Sequence, residues 1–125
     1  MIIGVGVDIL STARIHAIVA RGPAYTQRFA RRVLSPLEHT SFASVEKPGE
    51  QADFLAARWC LKEAAYKAAF PRQTLRWHDI TLSNDRRKPQ LLVRWRPELA
   101  HLAVHASLSH DAGLVVGYVV IEESV

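Results

Sequence analysis

The chain has 125 residues, the length of one ordinary domain, and its 49% hydrophobic and 22% charged residues exclude a disordered polypeptide. Sixteen Lys and Arg against twelve Asp and Glu leave a net charge of +4, which favours an anionic partner: a nucleic acid, a phosphorylated ligand or an acidic protein. The lone cysteine, Cys60, excludes an internal disulfide and favours a reducing compartment, and no apolar run reaches the ~18 residues of a membrane span.

Ile2 to Leu10 is rich in Ile, Val and Gly and predicts a buried strand with Asp8 near its end. The strand-like start lacks the charged region and cleavage site of a signal peptide. Ser11 can cap a helix running to about Arg21, with Ile15, Ile18 and Val19 inward, Arg14 and Arg21 outward, and Gly22 as its stop. Ala24 to Leu34 predicts a second helix, made basic by Arg28, Arg31 and Arg32. Ser35-Pro36-Leu37-Glu38 has the residues of a capping box with proline at the first helical position. Lys47-Pro48-Gly49 predicts the end of that short third helix.

About Asp53 to Phe70 predicts the strongest helix, Ala-rich, free of internal Gly and Pro, and stopped by Pro71. Ala57, Leu61, Ala64 and Ala68 form an apolar stripe, and Glu63 and Lys67 share another face at i, i+4 spacing. Asp79 to Ser83 and Gln90 to Trp95 predict strands around a polar turn, Asn84 to Pro89. Ala103 to Ser109 and Leu114 to Glu122 predict a terminal hairpin turning at Asp111-Ala112-Gly113. The order of strand, helices and strands predicts an α+β fold, a mostly antiparallel sheet packed against a long helix, as one domain over residues 1–125.

Two segments carry the chemistry. Gly6-Val7-Asp8-Ile9 and Trp59-Cys60-Leu61-Lys62-Glu63-Ala64-Ala65-Tyr66-Lys67 together resemble the signature motifs of the 4′-phosphopantetheinyl transferases, a G-x-D segment and a (W/F)-x-x-K-E-(A/S)-x-x-K helix. Fainter resemblance covers the whole chain. Arg28-Phe29-Ala30-Arg31-Arg32-Val33-Leu34 is similar to the family's R-F-x-x-R-(V/I)-L segment, Lys88-Pro89 to its G-K-P turn, and Ser107-Leu108-Ser109-His110 to its S-(I/L)-(S/T)-H strand end.

The resemblance implies the short, single-unit type of that family. Its reaction moves 4′-phosphopantetheine from coenzyme A to a serine of an apo-acyl carrier protein and releases adenosine 3′,5′-bisphosphate. Charge gathers on the diphosphate, so a divalent cation and basic side chains belong around it. Asp8 and Glu63 are implied as the carboxylates for Mg²⁺, which commonly takes one or two carboxylates with phosphates and water. Lys67 is implied at the diphosphate, and Arg58, Lys62, Lys88, Pro89 and His110 at coenzyme A. The serine proton has two candidate acceptors, a metal-bound water and Glu63. Arg14, Arg21 and Arg28 are implied as the docking residues for the acidic carrier.

Each residue also has a plainer reading. Glu63 and Lys67 alone make a surface pair worth ~0.3–0.5 kcal/mol. Asp8 alone could cap a helix, Trp59 alone reads as core, and His110 could stand in solvent at a hairpin end. His105 reads as structural and Cys60 as inert core. The joint pattern favours the catalytic reading. A nucleic-acid-binding module accounts for the basic helices and three tryptophans, but it leaves Asp8 and Glu63 unexplained and has no zinc-ligand spacing. A family member that binds without transferring would be expected to lack some signature residues, and all are present. The expectation is therefore no nucleic-acid partner and no membrane partner.

One departure stands out. Bacterial members carry a Gly-Thr-Gly loop after the signature helix, whereas here Ala68-Ala69-Phe70 is followed by Pro71-Arg72-Gln73. Proline has no N–H to offer a phosphate, so the loop must meet coenzyme A differently, with Arg72 as the candidate. Together with Leu75-Arg76-Trp77-His78-Asp79, this resembles eukaryotic organellar members and implies a mitochondrial matrix enzyme, with the cytoplasm as the alternative. The short type also implies a homotrimer in which Asp8 and Glu63 of one subunit face Lys88-Pro89 or His110 of a neighbour.

Overall fold

The computed structural model describes residues 1–85 and 88–124. Strand β1 (Ile2–Ser11) leads into helices α1 (Thr12–Ala20), α2 (Pro23–Val33), α3 (Pro36–Phe42) and α4 (Pro48–Ala69). Strands β2 (Ile80–Asp85), β3 (Lys88–Val93), β4 (Ala103–Asp111) and β5 (Leu114–Glu122) follow. β1, β5 and β4 form one antiparallel sheet in that order, and β2 and β3 pair as a separate antiparallel hairpin. The α+β expectation of antiparallel strands on a long helix holds.

The local signals explain most boundaries. Ser35 Oγ accepts the Glu38 N–H at 3.4 Å while Ser35 N–H donates to Glu38 Oε1 at 2.8 Å, closing the capping box that opens α3. Ala112 and Gly113, at φ 50° and 76°, make the tight turn between β4 and β5. The structure corrects one stop signal: Pro48 opens α4 instead of closing α3, so the long helix starts five residues before Asp53. Proline at the first helical position gives up only an N–H that has no partner there. The polar turn expected over 84–89 is shorter, because Asn84 pairs with Pro89 and Asp85 with Lys88; Arg86 and Arg87 lie outside the described residues.

α4 is the axis of the molecule. One apolar cluster packs Leu61, Ala64 and Ala68 against Ile80, Leu82, Val119 and Ile121. A second packs Leu55, Ala56 and Cys60 against Leu10, Ile15, Ala30 and Val33. A single apolar stripe does not describe it, since packing on several sides buries even Arg58 and Lys62. β1 also differs from a fully buried strand. Its alternation turns Gly4, Gly6, Asp8 and Leu10 towards α4 and leaves Val5, Val7 and Ile9 about half exposed on the far side.

Candidate active site

The site is made by close approach of β1 to α4. A Cβ on Gly6 would lie 1.9 Å from the Ala64 carbonyl oxygen, and one on Gly4 would lie 2.0 Å from that of Ala68. Only glycine permits backbone-on-backbone contact of this kind. The strand's period of two then carries Asp8, two residues past Gly6, onto the same helix-facing side.

Three sequence-predicted residues meet there. Lys67 Nζ lies 3.2 Å from Asp8 Oδ1 and donates to the Val7 carbonyl at 2.9 Å. Cys60 Sγ donates to the Asp8 carbonyl oxygen at 3.3 Å. Glu63 is partly buried nearby. Its carboxyl is held above the usual carboxylate range by burial and by the negative charge of Asp8, with Lys67 opposing. Lys67 is thus ion-paired with Asp8 and also offsets the charge of Glu63. That arrangement fits a bound divalent ion. Among the described residues no group of three or more His, Cys, Asp or Glu could hold a metal, and Asp8 and Glu63 are the two carboxylates that could contribute to one.

A cleft of about 410 Å³ opens beside Glu63. Glu63 and Tyr66 line it from α4, and Leu75, Arg76, Trp77 and Ile80 line it from the opposite side. Trp77 stands 4.5 Å, centroid to centroid, from Trp59, which in turn stacks on Phe29 at 5.4 Å. Trp59, partly buried against the core, thus backs the cleft wall that Trp77 forms.

Two of the residues expected at coenzyme A, Lys62 and Arg58, are engaged inside the protein. Lys62 also borders the cleft, but its ammonium is spent inside the protein. Nζ donates to the Val33 carbonyl at 2.7 Å, the Trp77 carbonyl at 3.0 Å and the Glu38 carboxylate. A lysine ammonium has three N–H bonds, so none remains for a phosphate. Burial lowers its pKa, with Glu38 pulling the other way. Arg58 is likewise buried and does not line this cleft. Its guanidinium lies over the Phe54 ring at 3.3 Å and stands 3.7 Å from Glu38, and burial pushes its pKa down to about 10 against the pull of Glu38. The sequence reading missed Glu38 as more than a capping residue. A lysine predicted inside a packed helix requires a buried acid, and Glu38 also accepts the Leu82 N–H at 2.9 Å.

The remaining predicted residues lie elsewhere. Lys88 and Pro89 sit on β3, and His110 lines a separate cavity of about 290 Å³ with Thr12, Asp53 and Gly113. None of the three borders the Glu63 cleft of its own chain. Arg72 Nη1 donates to the Ile3 carbonyl at 2.8 Å, stitching the loop to β1. Arg14, Arg21 and Arg28 are exposed, and the guanidiniums of Arg21 and Arg28 lie 4.0 and 5.5 Å from the Tyr25 ring centroid. α1 and α2 contain no acidic residue, and the exposed Asp53 of α4 pairs with His16 of α1 at 3.1 Å. His105 pairs with Glu122 at 3.3 Å on the exposed sheet, and Cys60 is buried core whose thiol is raised to about 12, chiefly by burial and next by Asp8.

The aspartate seated by Gly6 on β1 and the glutamate and lysine on α4 lie in the two segments whose motifs resemble those of the 4′-phosphopantetheinyl transferases. Residues 4–119 match the model of the 4′-phosphopantetheinyl transferase superfamily, and the chain belongs to that family. It is similar to holo-[acyl-carrier-protein] synthases. It is 35% identical to the holo-[acyl-carrier-protein] synthase of Anaeromyxobacter sp. strain K, covering 98% of this chain and 97% of that one. The Neisseria meningitidis holo-[acyl-carrier-protein] synthase structure superposes with a TM-score of 0.80 at 31% identity, covering 98% of this chain and 100% of the other. That of Bacillus anthracis, in complex with CoA, superposes with a TM-score of 0.79 at 29% identity, covering 99% of both chains.

Proposed function

We propose that this chain is a transferase moving 4′-phosphopantetheine from coenzyme A to a serine of an apo-acyl carrier protein, releasing adenosine 3′,5′-bisphosphate. The observation that carries the reading is the convergence of Asp8, Glu63 and Lys67 beside a cleft. Residues 1–125 act as one transferase domain in this account. Asp8 and Glu63 hold Mg²⁺; when bound, the ion supplies positive charge to diphosphate oxygens. Lys67, held by Val7 and Asp8, places a second positive charge where the leaving bisphosphate accumulates negative charge. The hydroxyl proton of the carrier serine passes to Glu63 or to water.

The basic α1–α2 surface, with Arg14, Arg21 and Arg28, is the docking face for an acidic carrier. A homotrimer completes the cleft. Two features support it: Lys88, Pro89 and His110 are remote from the Glu63 cleft of their own chain, and one sheet face is apolar and exposed. On that face Val5 sits opposite Val120, Val7 opposite Tyr118 and Ile9 opposite Val116. An uncovered patch of this kind marks an interface. Among the described residues no helix is long and apolar enough to cross a membrane. The mitochondrial expectation finds no support in the curated relatives, which are bacterial, and a cytoplasmic setting agrees with them.

The test is incubation with coenzyme A, Mg²⁺ and several apo-carriers, read by intact-mass spectrometry with and without chelator. Loading of a carrier that chelator abolishes is expected. No loading of any carrier would refute the reading.

A further inference from the structure

We propose that Arg76 binds the diphosphate of coenzyme A in the cleft beside Glu63. The inference rests on the transferase reading above. Four observations carry it. First, the cleft beside Glu63 has two basic side chains on its lining, Lys62 and Arg76. Lys62 has committed all three N–H bonds to Val33, Trp77 and Glu38. Second, Arg72, the loop's other basic group, is bonded to the Ile3 carbonyl. Third, the Arg76 side chain is exposed, and among the described residues its guanidinium makes no hydrogen bond or ion pair. Fourth, its backbone is fixed at both ends of a short turn. Arg76 N–H donates to Asp79 Oδ2 at 2.9 Å, and Asp79 N–H donates to the Arg76 carbonyl at 3.1 Å.

The guanidinium thus springs from a rigid turn across the cleft from Glu63, with Leu75 and Ile80 buried on either side. A diphosphate lying against Glu63 and its cation comes within reach of it. A planar five-donor fork suits two phosphate oxygens at once, as a row of backbone N–H groups would. Tyr66 reinforces the wall. It stacks on Phe70 at 6.0 Å and 18° and lines the same cleft.

The experiment compares the unsubstituted chain with Arg76→Gln and Arg76→Lys. Coenzyme A binding is measured by calorimetry without carrier, and KM and kcat are measured in the transfer assay. Arg76→Gln is expected to weaken coenzyme A binding by about ten-fold and to raise the coenzyme A KM likewise, with the carrier KM unchanged. Arg76→Lys should recover part of the loss. The same penalty should appear with 3′-dephospho-coenzyme A, because the contact is to the diphosphate. The side chain makes no internal bond, so the melting temperature should not move. A Gln variant that binds as tightly as the original overturns the role of Arg76, and a penalty that vanishes with 3′-dephospho-coenzyme A overturns the diphosphate assignment. Failure of the unsubstituted chain to bind coenzyme A at all would overturn the transferase reading itself.

Discussion

Asp8 and Lys67 meet at 3.2 Å across the seam between β1 and α4, although 59 positions separate them in the chain. The contact follows from Gly4 and Gly6, whose missing side chains let the strand lie directly on the helix carbonyls. Any residue with a Cβ at position 6 must push the two elements apart. Gly6→Ala is therefore expected to destabilise the protein by about 3 kcal/mol and to reduce transfer by more than ten-fold. Thermal unfolding and the transfer assay on soluble protein check this; wild-type values in both would show that the seam can widen harmlessly.

The ion pair of Lys62 and Glu38 is deeply buried, with each side chain about 1% exposed. Removing one partner strands the other charge in the core. Lys62→Met should lower stability by roughly 3–5 kcal/mol, measured by denaturant unfolding. If Lys62 instead served mainly to bind coenzyme A, the variant would keep its stability and lose only coenzyme A affinity.

The architecture was largely legible in the sequence, because its signals are local. The capping box at Ser35, the Ala-rich helix ending before Pro71 and the hairpin at Ala112-Gly113 each depend on neighbouring residues. The convergence of Asp8, Glu63 and Lys67 was legible only through motif resemblance, since nothing local says that a strand and a helix will touch. The fates of Lys62 and Arg72 were not legible. Whether a cation faces a ligand or a carbonyl depends on three-dimensional partners such as Val33, Trp77 and Ile3, which come from distant segments. Pro48 misled for a related reason: proline both ends and begins helices, and only the chain beyond it decides.

Glu63 gives the site a pH signature. Burial and Asp8 raise its pKa in the folded, metal-free protein. The native state then holds that proton more tightly than the unfolded chain does. Stability should fall as pH rises from the ordinary glutamate range through the raised value, where the folded protein must carry the charge. Mg²⁺ displaces the proton, so its affinity should rise over the same window and level off above it. Calorimetric titrations across pH check this, and a flat Mg²⁺ affinity would place the ion away from Glu63. Glu63→Gln should remove the pH dependence.

Cys60 should be inert. It is buried, and its thiol is pushed up to about 12, first by burial and then by Asp8. The folded protein at pH 8 should resist iodoacetamide, while the denatured chain reacts. Rapid alkylation of the native protein would mean that the α4–β1 seam opens readily.

The apolar sheet face gives an assembly prediction. Val7 is 51% exposed and sits opposite Tyr118, itself 44% exposed. Val7→Asp places a charge at the centre of that face and should give a folded monomer by light scattering, with transfer lost because the cleft is incomplete. A monomeric variant of full activity would show that one chain suffices.

The central claim is that two carboxylates from distant segments act together on one cation. Intact-mass measurement of an apo-carrier, incubated with coenzyme A, Mg²⁺ and the unsubstituted, Asp8→Ala or Glu63→Gln chain, tests it most directly. The expected result is addition of one phosphopantetheine group with the unsubstituted chain and a loss of at least 100-fold in rate for each folded variant. Undiminished loading by either variant would contradict the account.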